Sequence, residues 1–239
     1  MLKSTLTAGA AVAVTLVCAA SASAKIVEVG RTDAAPACPD SPCLAVSRTT
    51  GYQVKVADER NTFAAPEDGK IVAWTITLGK PTDEQTAFFN KSLGGVASAR
   101  LTVIRLGKKL SARTITQSPV QPLQPFFGQT VQFPLSRALN VKKGDVMALT
   151  VPTWAPALTQ LLTDHSSWRA SRALDKCTDT SSQTAQQRLD TQVQYRCLYK
   201  ARLTYSATLI TRPVPNAAAT PTPTPTATPT PTPTPTAGQ

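Results

Sequence analysis

At 239 residues the chain has the length of one folded domain with terminal appendages, and beyond residue 24 it holds no apolar run long enough to cross a membrane as a helix. Twenty-five Lys and Arg against 14 Asp and Glu give a formal charge of +11, which favours anionic partners over cationic ones. A single histidine excludes a histidine metal cluster and leaves one residue on which a Ser-His-Asp triad would depend.

Residues 1–24 read as an export signal. Lys3 supplies the positive start, an apolar run extends from Leu6 to Ala20, and Ser21-Ala22-Ser23-Ala24 fits the small-residue cleavage rule, with Lys25 first in the mature chain. Cys18 belongs to the apolar run, because Val17 before it is too large for a lipid-modification site. Cleavage removes Lys3 and no acid, so the charge falls from +11 to +10. None of that charge lies in residues 213–239, so the segment between carries all of it. An exported protein is expected to be secreted or envelope-associated, which argues against nucleic acid as the polyanion.

Residues 25–48 form an N-terminal segment ahead of a domain spanning 49–212. Four mature cysteines, Cys38, Cys43, Cys177 and Cys197, suit a disulfide framework in an oxidising compartment. The expected pairing is sequential, because each pair closes a short loop: Cys38-Pro39-Asp40-Ser41-Pro42-Cys43, and the polar stretch from Thr178 to Thr191 between Cys177 and Cys197. CxxC spacing is absent, so a zinc site is not expected.

Period-two patterns dominate the domain. Tyr52, Val54 and Val56 alternate with Gln53 and Lys55. Val72, Trp74, Ile76 and Leu78 fall on one face, opposite Ala73, Thr75 and Thr77. Leu101–Leu106 and Val146–Val151 read as buried strands, and Tyr195–Leu209 as a long alternating one. Turn signals separate them at Glu67-Asp68-Gly69, Gly107-Lys108-Lys109 and Lys142-Lys143-Gly144-Asp145. The clearest helix is Thr82 to Leu93, with Thr82 and Gln85 as a capping box, Gly94-Gly95 as its stop, and Phe88, Phe89 and Leu93 as its apolar stripe. Many short strands at this spacing predict an all-β sandwich or barrel.

The tail alternates Thr and Pro from Thr220 to Thr236, with Ala227 the one interruption. Such a tract favours polyproline II and no packed core, and at ~3.1 Å per residue the 27 residues from Pro213 make a spacer of roughly 80 Å. It is expected to be disordered, and its composition also suits O-glycosylation.

Candidate chemistry is sparse. His165 is flanked by Asp164 and Ser166, but chain neighbours point apart and cannot complete a triad. The carboxylates Asp58-Glu59, Glu67-Asp68, Asp83-Glu84 and Asp145 sit at turn and helix-start signals, where structural roles account for them. No catalytic residue, metal or cofactor is assigned. Trp154, between Pro152 and Pro156, and Trp168, beside Ser167 and Arg169, are candidate sugar platforms or plugs of the sandwich ends. Arg169, Arg172 and Lys176 form one basic cluster. Arg196, Lys200 and Arg202 form a second, which a single strand presents on one face. Together they are the candidate anion-binding residues.

The segments CPDSPC (38–43), GYQVKV (51–56), GKIVAWTITLGKPT (69–82), FFNKSLGG (88–95), VKKGDVMALTVPTWAPAL (141–158), SWRASR (167–172) and YRCLYKARLTYSATL (195–209) resemble a family of exported actinobacterial proteins with no assigned activity. The resemblance spans nearly all of 38–210 and leaves out the tail. It implies export and a jelly-roll-like antiparallel sandwich, and carries over no catalytic residue. The expected function is therefore a non-catalytic envelope or surface module that binds a polyanionic or glycan cell-wall component. The alternatives are a carboxylate-based glycan hydrolase and a purely structural surface protein. Nothing in the sequence indicates an oligomeric state.

Overall fold

Turn chemistry and β-branched runs divide the chain into fifteen strands and one helix in a computed structural model that describes residues 24–30, 44–159, 165–179 and 184–212. The predicted export signal, the Cys38–Cys43 loop and the Thr-Pro tail lie outside the described residues. The first half contains β1 (Ile26–Val29), β2 (Val46–Val56), β3 (Glu59–Arg60), β4 (Gly69–Thr77), α1 (Asp83–Ser92), β5 (Ser98–Leu106), β6 (Ser111–Gln117) and β7 (Gln121–Pro122). The second half contains β8 (Thr130–Val141), β9 (Val146–Ala155), β10 (Leu158–Thr159), β11 (Ser167–Ala170), β12 (Gln192–Gln194), β13 (Cys197–Tyr199), β14 (Arg202–Leu203) and β15 (Tyr205–Thr211).

The strands pair antiparallel, as an all-β sandwich requires. The smaller sheet runs β1-β15-β4-β8 and the larger β12-β6-β5-β9-β2-β11-β13, with β3 on β2, β7 on β5, and β10–β14 as a separate ribbon. Eight strands, β1, β2, β4, β5, β6, β8, β9 and β15, recur through the chain. By rank among these eight, the smaller sheet orders them first, eighth, third, sixth, and the larger fifth, fourth, seventh, second. The segment 156–204 is inserted between the last two. It adds β11 and β13 beyond β2, and β12 beyond β6, so one insertion extends both edges of the larger sheet.

The core lies between the sheets. Trp74 of β4 is fully buried against Phe133 of β8, with ring centroids 4.9 Å apart. Tyr205 of β15 packs on Phe63 at 4.8 Å and donates its hydroxyl to the Met147 carbonyl of β9 at 2.9 Å. Ile71, Ile76, Leu101, Ile104 and Leu149 complete the same apolar layer.

Three details depart from simple alternation. First, Ile71 rather than Val72 is buried in β4. Between the pairs Ile71↔Leu139 and Ala73↔Pro134, β4 places Val72 alone opposite Leu135 to Ala138 of β8. That bulge resets which side chains face inward. Second, Tyr195–Leu209 is not one strand: it breaks into β13, β14 and β15, which belong to three different sheets. Third, Phe88 is 63% exposed while Phe89 is buried, because adjacent helical residues point about 100° apart. The helix otherwise follows its signals. Thr82 and Gln85 form the capping box, and the positive φ angles of Gly94 (92°) and Gly95 (114°) end it.

The outer face of the larger sheet carries Thr50, Thr102 and Thr150. All three are fully buried. Their hydroxyls form a chain, Thr50 to Thr150 at 2.8 Å and Thr150 to Thr102 at 2.6 Å, and the Gln186 backbone closes it from above through its N–H and carbonyl to Thr50 Oγ1. Gln186 Oε1 accepts the Tyr195 hydroxyl at 2.5 Å. Residues 184–194 are thus a strap over a polar sheet face, and hydrogen bonding holds it there.

Candidate functional site

The strap ends in a concavity built by three segments. The first is the turn between β5 and β6, where Lys109 and Leu110 both adopt positive φ (55° and 59°) without being glycine. Two consecutive left-handed residues are costly and persist only where surroundings over-determine them. Here the Ser111 hydroxyl donates to the Lys108 carbonyl at 2.7 Å, and the Tyr195 N–H donates to the Leu110 carbonyl at 2.7 Å. The second segment is β11, whose Arg169 donates Nη1 to the carbonyls of Tyr195 (3.2 Å) and Arg196 (3.1 Å). The third is the helical turn Leu174–Lys176, tied to β13 by the Cys177–Cys197 disulfide with Cα atoms 5.2 Å apart.

Lys109, Arg169, Arg196, Leu110, Leu174 and Leu198 line this concavity of about 290 Å³. The three leucines are 45%, 65% and 52% exposed, so apolar surface stands open beside three cationic side chains, and no carboxylate joins the lining. A cation against low-dielectric surface attracts an anion more strongly than one in open water. The arrangement suits an anionic group attached to something with apolar surface.

The predicted basic residues are thus brought together only in part. Arg169 and Arg196 meet here, while Lys109 comes from a turn that sequence reading marked only as a turn. Arg172 serves the fold: its guanidinium donates to the Tyr199 hydroxyl (2.7 Å) and the Ser47 carbonyl (3.3 Å), and lies over the Tyr199 ring at 5.6 Å. Lys176 faces Asp179 at 3.8 Å. Arg196, Lys200 and Arg202 do not share a strand face: Arg196 precedes β13, Lys200 is exposed in the following bend, and Arg202 is half-buried in β14. The break at Lys200-Ala201 destroys the common parity.

Trp154 and Trp168 are not exposed platforms. Trp154 is fully buried between Phe89 (4.8 Å) and Phe127 (5.4 Å), and its Nε1–H donates to Asn90 Oδ1 and the Gly95 carbonyl. Trp168 is buried against Tyr199 at 4.8 Å. Both rings belong to the apolar core, where their area is worth more than at the surface.

The carboxylates hold turns. Asp145 is buried and takes a bidentate pair from Arg105 (2.7 and 2.9 Å) and the Lys142 N–H at 2.9 Å. Asp68 accepts the Lys143 N–H at 2.8 Å, and Asp83 and Glu84 occupy the first turn of α1. Asp58, at φ 73°, accepts from Lys55 (2.7 Å) and pairs with His165 Nδ1 at 2.6 Å, all near the surface. Those two partners hold its carboxyl below the usual range. Among the described residues no three His, Cys, Asp or Glu side chains cluster as metal ligands, and no helix is long and apolar enough to span a membrane. Comparison of the chain with known protein families, curated proteins and solved structures finds no match.

Proposed function

We propose that this is an exported, non-catalytic module of the cell envelope or surface that binds a polyanionic or glycan component, with Lys109, Arg169 and Arg196 as its charged contacts. The observation that carries the reading is the convergence of those three cations on leucine-lined surface with no carboxylate among them. The +10 charge of the mature chain supports it by drawing polyanions toward the molecule. The Cys177–Cys197 disulfide fits an oxidising compartment, and so supports the export signal read in residues 1–24. The alternation of the eight strands β1, β2, β4, β5, β6, β8, β9 and β15 between the two sheets supports a jelly roll. In this reading the Thr-Pro tail is a spacer.

A glycan hydrolase needs two carboxylates facing one cleft. The turn and cap roles of Asp58, Asp68, Asp83, Glu84 and Asp145 favour the binding reading over that one.

The test uses the mature full-length chain with immobilised inorganic polyphosphate and with isolated cell-wall polymer. Binding should weaken steeply as salt rises, because ions screen exposed charge beyond a Debye length of about 8 Å at physiological ionic strength. Lys109→Gln with Arg196→Gln should weaken it about tenfold, a loss of roughly 1.4 kcal/mol, with the circular dichroism unchanged. Binding indifferent to both salt and the double substitution overturns the proposal.

A further inference from the structure

A second cationic cleft lies away from the leucine-lined concavity. It has a volume of about 620 Å³ and runs along the end of β6, between the β8 bulge and the strap. Two guanidiniums line it, Arg100 from β5 and Arg137 from the bulge. The bulge is what puts Arg137 there, because Leu135 to Ala138 are extra residues that leave the β4 ladder. Arg100 is half-buried, and burial depresses its basicity, the mark of a charge removed from water. One of its Nη atoms reaches Gln187 Oε1 at 3.1 Å, a neutral partner. No carboxylate lines the cleft; Asp190, next to the lining residue Leu189, is not part of it.

The remaining lining is mixed. Thr116, Ser136 and Asn140 offer uncharged hydrogen-bonding groups, and Ile115 and Leu189 offer apolar surface. Two like charges lining one cleft repel each other, and Arg100 is also partly desolvated, so an oxyanion taken up by both relieves these costs. Guanidinium forks match carboxylate and phosphate oxygens bidentately. Hydroxyl and amide groups match a polyhydroxylated ligand, and the aliphatic side chains match the C–H faces of its rings.

We infer that the cleft between β6 and the β8 bulge is a binding site for an acidic saccharide segment, with Arg100 and Arg137 taking its oxyanion and Thr116, Ser136 and Asn140 taking its hydroxyls. The site shares no residue with the leucine-lined concavity, so either stands or falls without the other.

Titration calorimetry and amide NMR on the mature full-length chain test this, with a uronic-acid oligosaccharide, a phosphorylated oligosaccharide and a neutral oligosaccharide of equal length as probes. At least one acidic probe should bind and shift the amides of Thr116 and Asn140, while the neutral one should bind at least about tenfold more weakly. Whichever acidic probe binds more tightly assigns carboxylate or phosphate as the natural oxyanion. Arg137→Gln removes an exposed side chain that makes no internal hydrogen bond among the described residues, so it should keep the fold and lose about tenfold in affinity. Arg100→Gln should do the same. Lys109→Gln with Arg196→Gln should leave these shifts unchanged. Equal binding of acidic and neutral probes, no binding of any probe at low salt, or full affinity in Arg137→Gln overturns the inference.

Discussion

At the residue scale, single groups decide what the strap can do. Gln186 is buried over the threonines of the larger sheet, and it is held there by Thr50, Gln117 and Tyr195. Tyr195 sits beneath the strap, and burial raises its phenol well above the ordinary tyrosine range, as it does for Tyr205; burial raises Tyr52 as well. The hydroxyl therefore stays a donor through neutral pH. Tyr195→Phe should lower the unfolding free energy by about 1–2 kcal/mol, the cost of leaving a buried acceptor unmet, and urea denaturation measures it. A folded phenol pKa raised above its unfolded value contributes stability that is complete below the unfolded pKa, about 10, and is lost as pH rises beyond it. An unchanged midpoint in Tyr195→Phe would show that water replaces the bond. None of this is legible in sequence, since a threonine facing solvent and one facing a strap carry the same period. Burial of Trp154 and Trp168 in the core is one of two readings their sequence contexts allow. Burial decides it, because both rings find aromatic neighbours from distant segments.

At the element scale, local signals survived well and long-range ones did not. The capping box at Thr82, the glycine stop of α1 and the turn at Gly144 depend on nearest neighbours, so they could be read directly. The β8 bulge and the break of Tyr195–Leu209 into three strands depend on partners far along the chain. Period two ran through the latter because β13, β14 and β15 each keep parity locally while changing sheet between them. The disulfide is the exception, a long-range contact readable because both cysteines flank one polar loop. It ties the turn carrying Leu174 to the strand carrying Leu198, and so sets two walls of the leucine-lined concavity. Replacing Cys177 and Cys197 together by Ser should cost roughly 3 kcal/mol of stability for a loop of this length. It should also weaken polyphosphate binding while leaving oligosaccharide binding at the Arg100–Arg137 cleft in place. Denaturant unfolding and the two binding assays separate these effects. Loss of both bindings together would mean that the bridge holds the whole strap and not one end of it.

At the scale of the molecule, the insertion 156–204 is what distinguishes this sandwich from a bare pair of sheets. It covers the threonine face, widens the larger sheet at both edges, and lends residues to both cationic concavities: Arg169, Leu174, Arg196 and Leu198 to one, Leu189 to the other. Sandwich architecture and net charge were legible because they are properties of pattern and composition. Where the charge concentrates was not, because Lys109, Arg137 and Arg100 reach their sites through a strained turn, a bulge and a strap. The Thr-Pro tract stands apart from all of this in composition, having neither charge nor large apolar side chains from Thr220 to Thr236. A tract that has little to bury adds little to folding. Deleting residues 213–239 should therefore leave the melting temperature of the remaining chain within about a degree, since a shift of 1 kcal/mol moves a domain of this size by roughly 2–4 °C. It should leave affinity for soluble anionic probes unchanged as well, while altering retention on intact cells if the tail acts as a spacer. A fall of several degrees would show that the tail packs on the sandwich, and an affinity loss in solution would place part of the binding surface within it.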